Sequence, residues 1–117
     1  MALSRLAAEF AAEIKQHDWQ DAPYRTDRAG HSWERDSHRP SRVLDPGETA
    51  SVRMNVVWVV AQVLGYHDPN FSVVEFVEAA GVQGFPDGWI NAGVRTDFHT
   101  GRYQRPGTYE FDAQPTG

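Results

Sequence analysis

The longest apolar segment of this chain carries signals for both the start and the end of a helix. Asp45 is a suitable N-cap residue, and Pro46 is tolerated at the first helical position because its missing N–H would be unpaired there. Glu48 can complete a capping box with Asp45 and interacts favourably with the positive end of the helix dipole. Gly65 suits the position after the last turn because glycine tolerates positive φ. These signals predict a helix over residues 46–64.

The side-chain pattern of this segment also fits a helix. At 100° per residue its valines fall mainly on one arc, opposite a narrow polar face that includes Asn55 and Gln62. A strand over residues 51–60 is the alternative, since β-branched side chains favour strands, but the capping signals and the length favour the helix. Arg53 and Asn55 interrupt the apolar run, so the segment is not expected to cross a membrane.

Arg53 projects from the middle of the apolar arc. Because an unpaired guanidinium is costly in an apolar environment, Arg53 is expected to have a structural partner or to reach the edge of the core. The alternative is that Arg53 binds an anionic ligand or an anionic group of a partner protein.

Two further segments have helical patterns. Apolar residues recur at steps of three and four near the N-terminus, which predicts an amphipathic helix over residues 3–17 that packs on the central helix or docks on another subunit. Ser72 and Glu75 match a capping box and predict a helix over residues 72–80. The residues expected to form the core are Leu6, Phe10, Ile14, Val56, Val57, Val60, Leu64, Val73, Phe76 and Val77.

The C-terminal part of the chain changes from helical to strand-like patterns. Residues 82–93 are rich in glycine and predict a loop or a short helix that covers the core. A type II turn over residues 105–107 predicts a β-hairpin that pairs residues 101–104 with residues 108–111, followed by a loose tail over residues 113–117. The predicted fold class is therefore α+β and mainly helical, with a three-helix core and a C-terminal β-hairpin.

The length and composition limit the number of domains, the expected location and the kinds of partner. A chain of 117 residues suffices for one small domain over residues 1–117 with a modest core. The chain has no cysteine and no apolar run typical of a secretory signal, so a cytoplasmic location is expected. The net charge of −5 is not typical of a protein that binds nucleic acid non-specifically, because contacts to phosphate dominate that affinity.

Residues 18–44 form a long segment with no clear period and few aliphatic side chains. Tryptophan and arginine are enriched at the energetically important positions of protein interfaces, and long irregular segments are often functional. We therefore predict a non-enzymatic interaction or assembly module that acts through residues 19–42, with another protein or a second copy as its partner. The side chains expected to bind are Trp19, Trp33, Arg35, Arg39 and Arg42, together with Arg53.

The alternative function is a DNA-binding regulator. Helices over 46–64 and 72–80 followed by a hairpin resemble the order of a winged helix-turn-helix, which is an analogy at the level of fold. The hairpin would present Arg102 and Arg105 to phosphates, with nucleic acid as the partner. Residues 82–93 contain proline and glycines where a recognition helix should run, which weakens this interpretation.

The sequence HSWERDSH places several metal-binding residue types close together: His31, Glu34, Asp36 and His38. If the segment is locally helical, His31, Glu34 and His38 lie on one face, because steps of three and seven residues are about one and two turns. Imidazole and carboxylate groups bind zinc and related divalent ions. These three residues are the hypothesis for a metal site, a solvated polar loop is the alternative, and no other cofactor is expected.

The histidines also allow a third function, a hydrolase that acts on phosphodiesters. One histidine would act as the base and another as the acid, while an arginine would stabilise the extra charge on phosphate. No spacing selects a pair, so a non-enzymatic function is favoured. The candidates are His31, His38, His99, Arg35 and Arg102.

Overall fold

The computed structural model describes residues 3–36 and 40–108, and within these ranges the chain is helical. The elements are α1 (Arg5–Gln16), a 3-10 helix (Ala22–Tyr24), α2 (Pro46–His67), α3 (Val73–Ala79) and α4 (Asp87–Ala92). α1 packs on α2 and α3, and α3 also packs on both α2 and α4. None of these helices is long and apolar enough to cross a lipid bilayer.

The start of α2 is the capping box that the sequence predicts. The Glu48 N–H donates to the Asp45 side chain at 2.7 Å, and the Asp45 N–H donates to the Glu48 side chain at 3.0 Å. Pro46 is at the first helical position. The predicted helix is confirmed, and the alternative strand over residues 51–60 is wrong.

The end of α2 differs from the prediction. The helix continues through Gly65 to His67, so the predicted boundary at residue 64 is too early. Gly65 is buried inside the helix, where an added Cβ would overlap the ring of Tyr103. The residue after the helix, Asp68, has an extended backbone, as expected for a residue that precedes a proline. Gly65 thus permits close packing of an aromatic ring and does not terminate the helix.

The core contains most of the residues that the sequence assigns to it. Val56 and Val60 pack against the core but stay partly exposed. The predicted core residues that are buried are Ile14, Val57, Leu64, Val73, Phe76 and Val77.

The prediction for Leu6 and Phe10 is wrong, because their exposed fractions are 57% and 41%. α1 instead turns Ala7, Ala11 and Ile14 towards the core, and each of them is buried. The short alanine side chains let the backbone of α1 approach α2 and α3 closely. With α1 rotated about its axis in this way, Leu6 and Phe10 lie on the outer side of the helix.

The predicted α+β class with a C-terminal β-hairpin is also wrong. The described residues contain no strand, only an isolated antiparallel bridge between Thr96 and Tyr103. The chain reverses over residues 97–101, earlier than predicted, and the neighbouring backbone groups are held by the Gln62 side chain of α2. Residues 82–93, for which a short helix was one interpretation, contain α4.

Several predictions fall on residues that the structure does not describe. The second arm of the predicted hairpin, residues 108–111, extends past residue 108, and the predicted loose tail over residues 113–117 lies outside the described range. His38 and Arg39 also lie outside it.

Candidate functional site

Residues 18–36 close into a loop that is attached to the end of α1. The Asp18 N–H donates to the His31 carbonyl at 3.0 Å, and the Trp33 N–H donates to Asp18 Oδ2 at 3.0 Å, so the two ends of the loop lie side by side. The Trp19 indole packs against the core and donates to the Ile14 carbonyl at 2.9 Å. The loop therefore has a fixed base on the helical body.

His31 lies at the centre of this loop and is almost completely buried, with an exposed fraction of 2%. Its Nε2 is 2.9 Å from each carboxylate oxygen of Asp21, which is itself 1% exposed. A buried carboxylate next to a ring nitrogen favours the tautomer or the charge state that keeps a hydrogen on that nitrogen. Asp21 therefore fixes both the orientation of the imidazole and the hydrogen on Nε2.

Three groups meet at the other ring nitrogen, Nδ1 of His31. Asp27 Oδ2 lies 2.9 Å away, Asp36 Oδ2 is in direct contact, and a terminal guanidinium nitrogen of Arg25 lies 2.9 Å away. Arg25 is also paired with Asp27 and lies 3.6 Å from Asp36, while its Nε lies 3.4 Å from Asp21. We call Asp21, Arg25, Asp27, His31 and Asp36 the His31 cluster.

The pKa values of His31, Asp36 and Asp27 are shifted from their ordinary values. Burial by itself lowers the pKa of His31, but hydrogen bonds to Asp36 and Asp21 outweigh it, so the pKa of His31 is raised. The hydrogen bond from His31 is the main cause that lowers the pKa of Asp36. For Asp27 the main cause of a lowered pKa is the backbone N–H of Arg28. These shifts favour the protonated form of His31 next to the ionised carboxylates of Asp27 and Asp36.

The cluster contains His31 and Asp36, which the sequence singles out, but it is not the metal set predicted from sequence. Glu34 is exposed at the surface, and His38 lies outside the described residues, so that set stays a prediction. Sequence reasoning missed Asp21, Arg25 and Asp27, which precede the histidine in DAPYRTD. The only signal for them is the density of acidic and basic residues in this stretch, which does not reveal which side chains meet.

The predicted interface residues of this segment have different environments. Trp33 is partly buried and Arg35 is exposed. The guanidinium of Arg42 lies 4.8 Å from the centre of the Tyr24 ring, which is a cation–π distance. Arg39 lies outside the described residues.

The predicted ligand-binding arginines outside this segment also have different environments. Arg53 donates to the carbonyl of Gly81 at 3.3 Å, just after the end of α3, where a cation interacts favourably with the helix dipole. Arg102 and Arg105 are exposed. Arg102 borders a cavity of about 700 Å3 between the end of α2 and the reversal over residues 97–101. His99, a candidate of the hydrolase hypothesis, lies in that reversal.

A second feature that sequence reasoning missed is the outer face of α2. Val59 is 71% exposed, although it lies in the middle of the longest helix. Val63 and Tyr66 are also exposed, while Val52 and Val56 are partly exposed. The buried residues Met54, Val57, Ala61 and Leu64 lie on the opposite side. We call Val52, Val56, Val59, Val63 and Tyr66 the outer stripe of α2.

Comparison with known proteins gives no further guide to these two regions. No protein-family profile matches the sequence, and no curated protein or solved structure is measurably similar to it. A functional interpretation therefore depends on the geometry of the His31 cluster and of the outer stripe.

Proposed function

We propose that this protein is a non-enzymatic assembly module in which two copies pair through the outer stripe of α2. The observation that carries this proposal is that α2 is apolar on two opposite faces: among the described residues one face lies in the core, and the other is largely exposed, with Val56 at its edge also packing against the core. A helix with apolar residues all round is usually buried on all sides. We therefore expect a partner surface to cover the outer stripe.

The spacing of the outer stripe favours a helix as the partner. Its residues follow one another at steps of four, three, four and three, which is the a/d pattern of a coiled coil. When two copies of α2 pair antiparallel about a two-fold axis, Val52 lies opposite Val63 and Val56 lies opposite Val59. The stripe is thus complementary to itself, as an interface with two-fold symmetry requires.

The charge of the chain also bears on the choice of partner. Each copy carries a net charge of −5, so two copies repel each other at long range. The outer stripe contains no acidic or basic side chain, and uncharged apolar contacts are compatible with close approach of two acidic chains. A cavity of about 240 Å3 next to Val59 and Val63 offers space for an apolar side chain of the second copy.

The proposal keeps the function class predicted from sequence but moves the interface. Trp19, which the sequence assigns to the interface, contributes to the core of its own chain. Residues 19–42 still carry exposed arginines and remain a second candidate surface, suited to an acidic partner. The DNA-binding alternative is less favoured because α4, where a recognition helix would run, has six residues and no basic side chain. A cytoplasmic location is part of this proposal.

Sedimentation equilibrium of the wild-type protein and of Val59→Glu tests the proposal. We expect a wild-type dimer, and we expect the dissociation constant of Val59→Glu to rise by more than about 100-fold, because an unpaired carboxylate buried in an interface costs several kcal/mol. Val59 is 71% exposed in the single chain, so the substitution should leave the fold intact.

Leu6→Glu is the matched control, because it makes the same change at an exposed apolar residue of α1. We expect this variant to remain a dimer. A wild-type protein that is monomeric at all concentrations would contradict the proposal. Dissociation by Leu6→Glu and not by Val59→Glu would assign the interface to α1.

A further inference from the structure

We propose that Asp27, His31 and Asp36 bind a divalent transition-metal ion of the zinc class, with Asp21 as the carboxylate that orients His31. Nδ1 of the buried imidazole and one oxygen from each of the two carboxylates all lie within 4.8 Å of one another. This inference is independent of pairing through α2, because the site lies in the loop over residues 18–36.

The orientation of His31 is the first argument. Both oxygens of Asp21 lie 2.9 Å from Nε2, and Asp21 is 1% exposed, so the hydrogen on Nε2 has a fixed acceptor. Histidines that ligate metals nearly always donate their second ring N–H to such a group, which directs the lone pair of the other nitrogen at the ion. In His31 that other nitrogen is Nδ1, which faces Asp27 and Asp36.

The crowding around Nδ1 is the second argument. With the hydrogen on Nε2, Nδ1 presents a lone pair, and the carboxylate oxygens of Asp27 and Asp36 present lone pairs as well. Three such atoms repel one another unless a positive charge lies among them; the Arg25 guanidinium or a proton on Nδ1 supplies that charge when no metal is bound, and a divalent ion can replace it. Metal bonds to imidazole nitrogen and carboxylate oxygen are about 2.0–2.2 Å long, so small side-chain movements would bring all three atoms around one ion.

Arg25 provides an independent indication that this position attracts a cation. One terminal nitrogen of its guanidinium lies 2.9 Å from Nδ1 and is paired with Asp27. Its Nε lies 3.4 Å from Asp21, so the guanidinium has a second carboxylate to which it can turn. A cavity of about 220 Å3, lined by Arg25, Asp27 and His31 among others, provides space for that movement. Arg25 is therefore a competitor of the metal ion for the same carboxylates.

The donor set selects the kind of ion. One imidazole and two carboxylates suit zinc and neighbouring transition metals, whereas magnesium and calcium prefer sites made of oxygen ligands alone. The side chains of Asp27 and Asp36 are 24% and 23% exposed, so an ion can enter from solvent and water can complete its coordination. Zinc is accordingly the probe for the experiment.

Isothermal titration of zinc into chelator-treated protein tests the inference. We expect one ion to bind per chain. Asp27→Asn and Asp36→Asn each remove a ligand, so each should weaken binding by more than the roughly 10- to 100-fold that a lost outer-shell partner costs. Asp21→Asn should weaken binding within that range. Arg25→Gln should strengthen binding, because it removes the competing cation.

Glu34→Gln is the matched control, because it removes one exposed carboxylate from the same loop. We expect its affinity for zinc to equal that of the wild type. Circular dichroism of each metal-free variant checks that the fold is retained.

A second readout uses the wild-type protein alone and so does not depend on any variant that fails to fold. In nitrogen NMR of the histidine rings, zinc should shift Nδ1 of His31 much more than Nε2. The inference is overturned if zinc does not bind, if Nδ1 does not shift, or if Glu34→Gln abolishes binding while Asp27→Asn and Asp36→Asn do not.

Discussion

Gln62 is buried in α2, although the sequence pattern assigns it to the polar face of the helix. Its side-chain amide donates to the carbonyls of Arg95 and Gln104, each at 3.0 Å, and its oxygen accepts the N–H of Arg95 at 2.7 Å. This one side chain satisfies backbone groups on both arms of the reversal over residues 97–101. It therefore holds the reversal to α2 in a region where the described residues form no strand.

Gln62→Ala should lower the free energy of unfolding by at least about 2 kcal/mol, because it leaves partly buried backbone groups without their partners. Urea unfolding measures this change. Asn55→Ala, at an exposed position of the same helix, is the control and should change the free energy of unfolding by less than about 0.5 kcal/mol. Equal effects of the two substitutions would show that Gln62 does not hold the reversal.

At the scale of elements, the closed conformation of the loop over residues 18–36 depends on hydrogen bonds to Asp18. Its carboxylate accepts hydrogen bonds from the backbone and side chain of Gln20 and from the Trp33 N–H. Burial alone would raise the pKa of Asp18, but these hydrogen bonds outweigh it and lower the pKa. The ionised form of Asp18 therefore stabilises the closed loop.

The lowered pKa of Asp18 predicts a pH dependence with a definite sign. A carboxyl group whose pKa is lower in the folded state contributes stability above its unfolded value, about 3.9, and loses that contribution as the pH falls through the folded pKa. Asp18→Asn should therefore destabilise the protein at neutral pH, and its difference from the wild type should shrink below about pH 4. Urea unfolding at a series of pH values measures the difference, and Glu34→Gln is the control. A difference that stays constant down to the acid limit contradicts this role for Asp18.

At the scale of the whole molecule, the described residues divide into a helical body and a polar segment. All of the buried apolar residues belong to α1 or lie between residues 54 and 94. Among residues 25–36 and 40–44 only His31 is buried, and the ion pairs of this segment belong to the His31 cluster. Because apolar burial supplies most of the stability of a domain, the two parts should differ in local stability.

Hydrogen exchange should therefore show two levels of protection. In metal-free protein, the amides of α2 should exchange slowly, through global unfolding, whereas those of residues 25–36 and 40–44 should exchange much faster, through local opening. If zinc binds at the His31 cluster, it should slow exchange over residues 25–36 and leave α2 unchanged. Equal protection of α2 and of residues 25–36 and 40–44 in metal-free protein would show that these parts of the chain unfold as one cooperative unit.

The amino-acid sequence by itself determined the features that depend on near neighbours along the chain. The capping box at Asp45 and the N-cap at Ser72 follow from residues within one helical turn, so their signals are complete in the sequence. The same local reasoning singled out His31 and Asp36 as residues with metal-binding chemistry.

Only the tertiary structure decided the features that join distant residues. α1 turns its alanines to the core, Gln62 points inwards to a reversal more than 30 residues away, and Asp21 meets His31 across 10 residues of loop. In each case the local sequence pattern is compatible with several rotations of a helix about its axis or with several side-chain partners. The packing of the whole chain selects one of them. For the same reason α2 could be assigned to the core from sequence, while its second apolar face became visible only when its neighbours were in place.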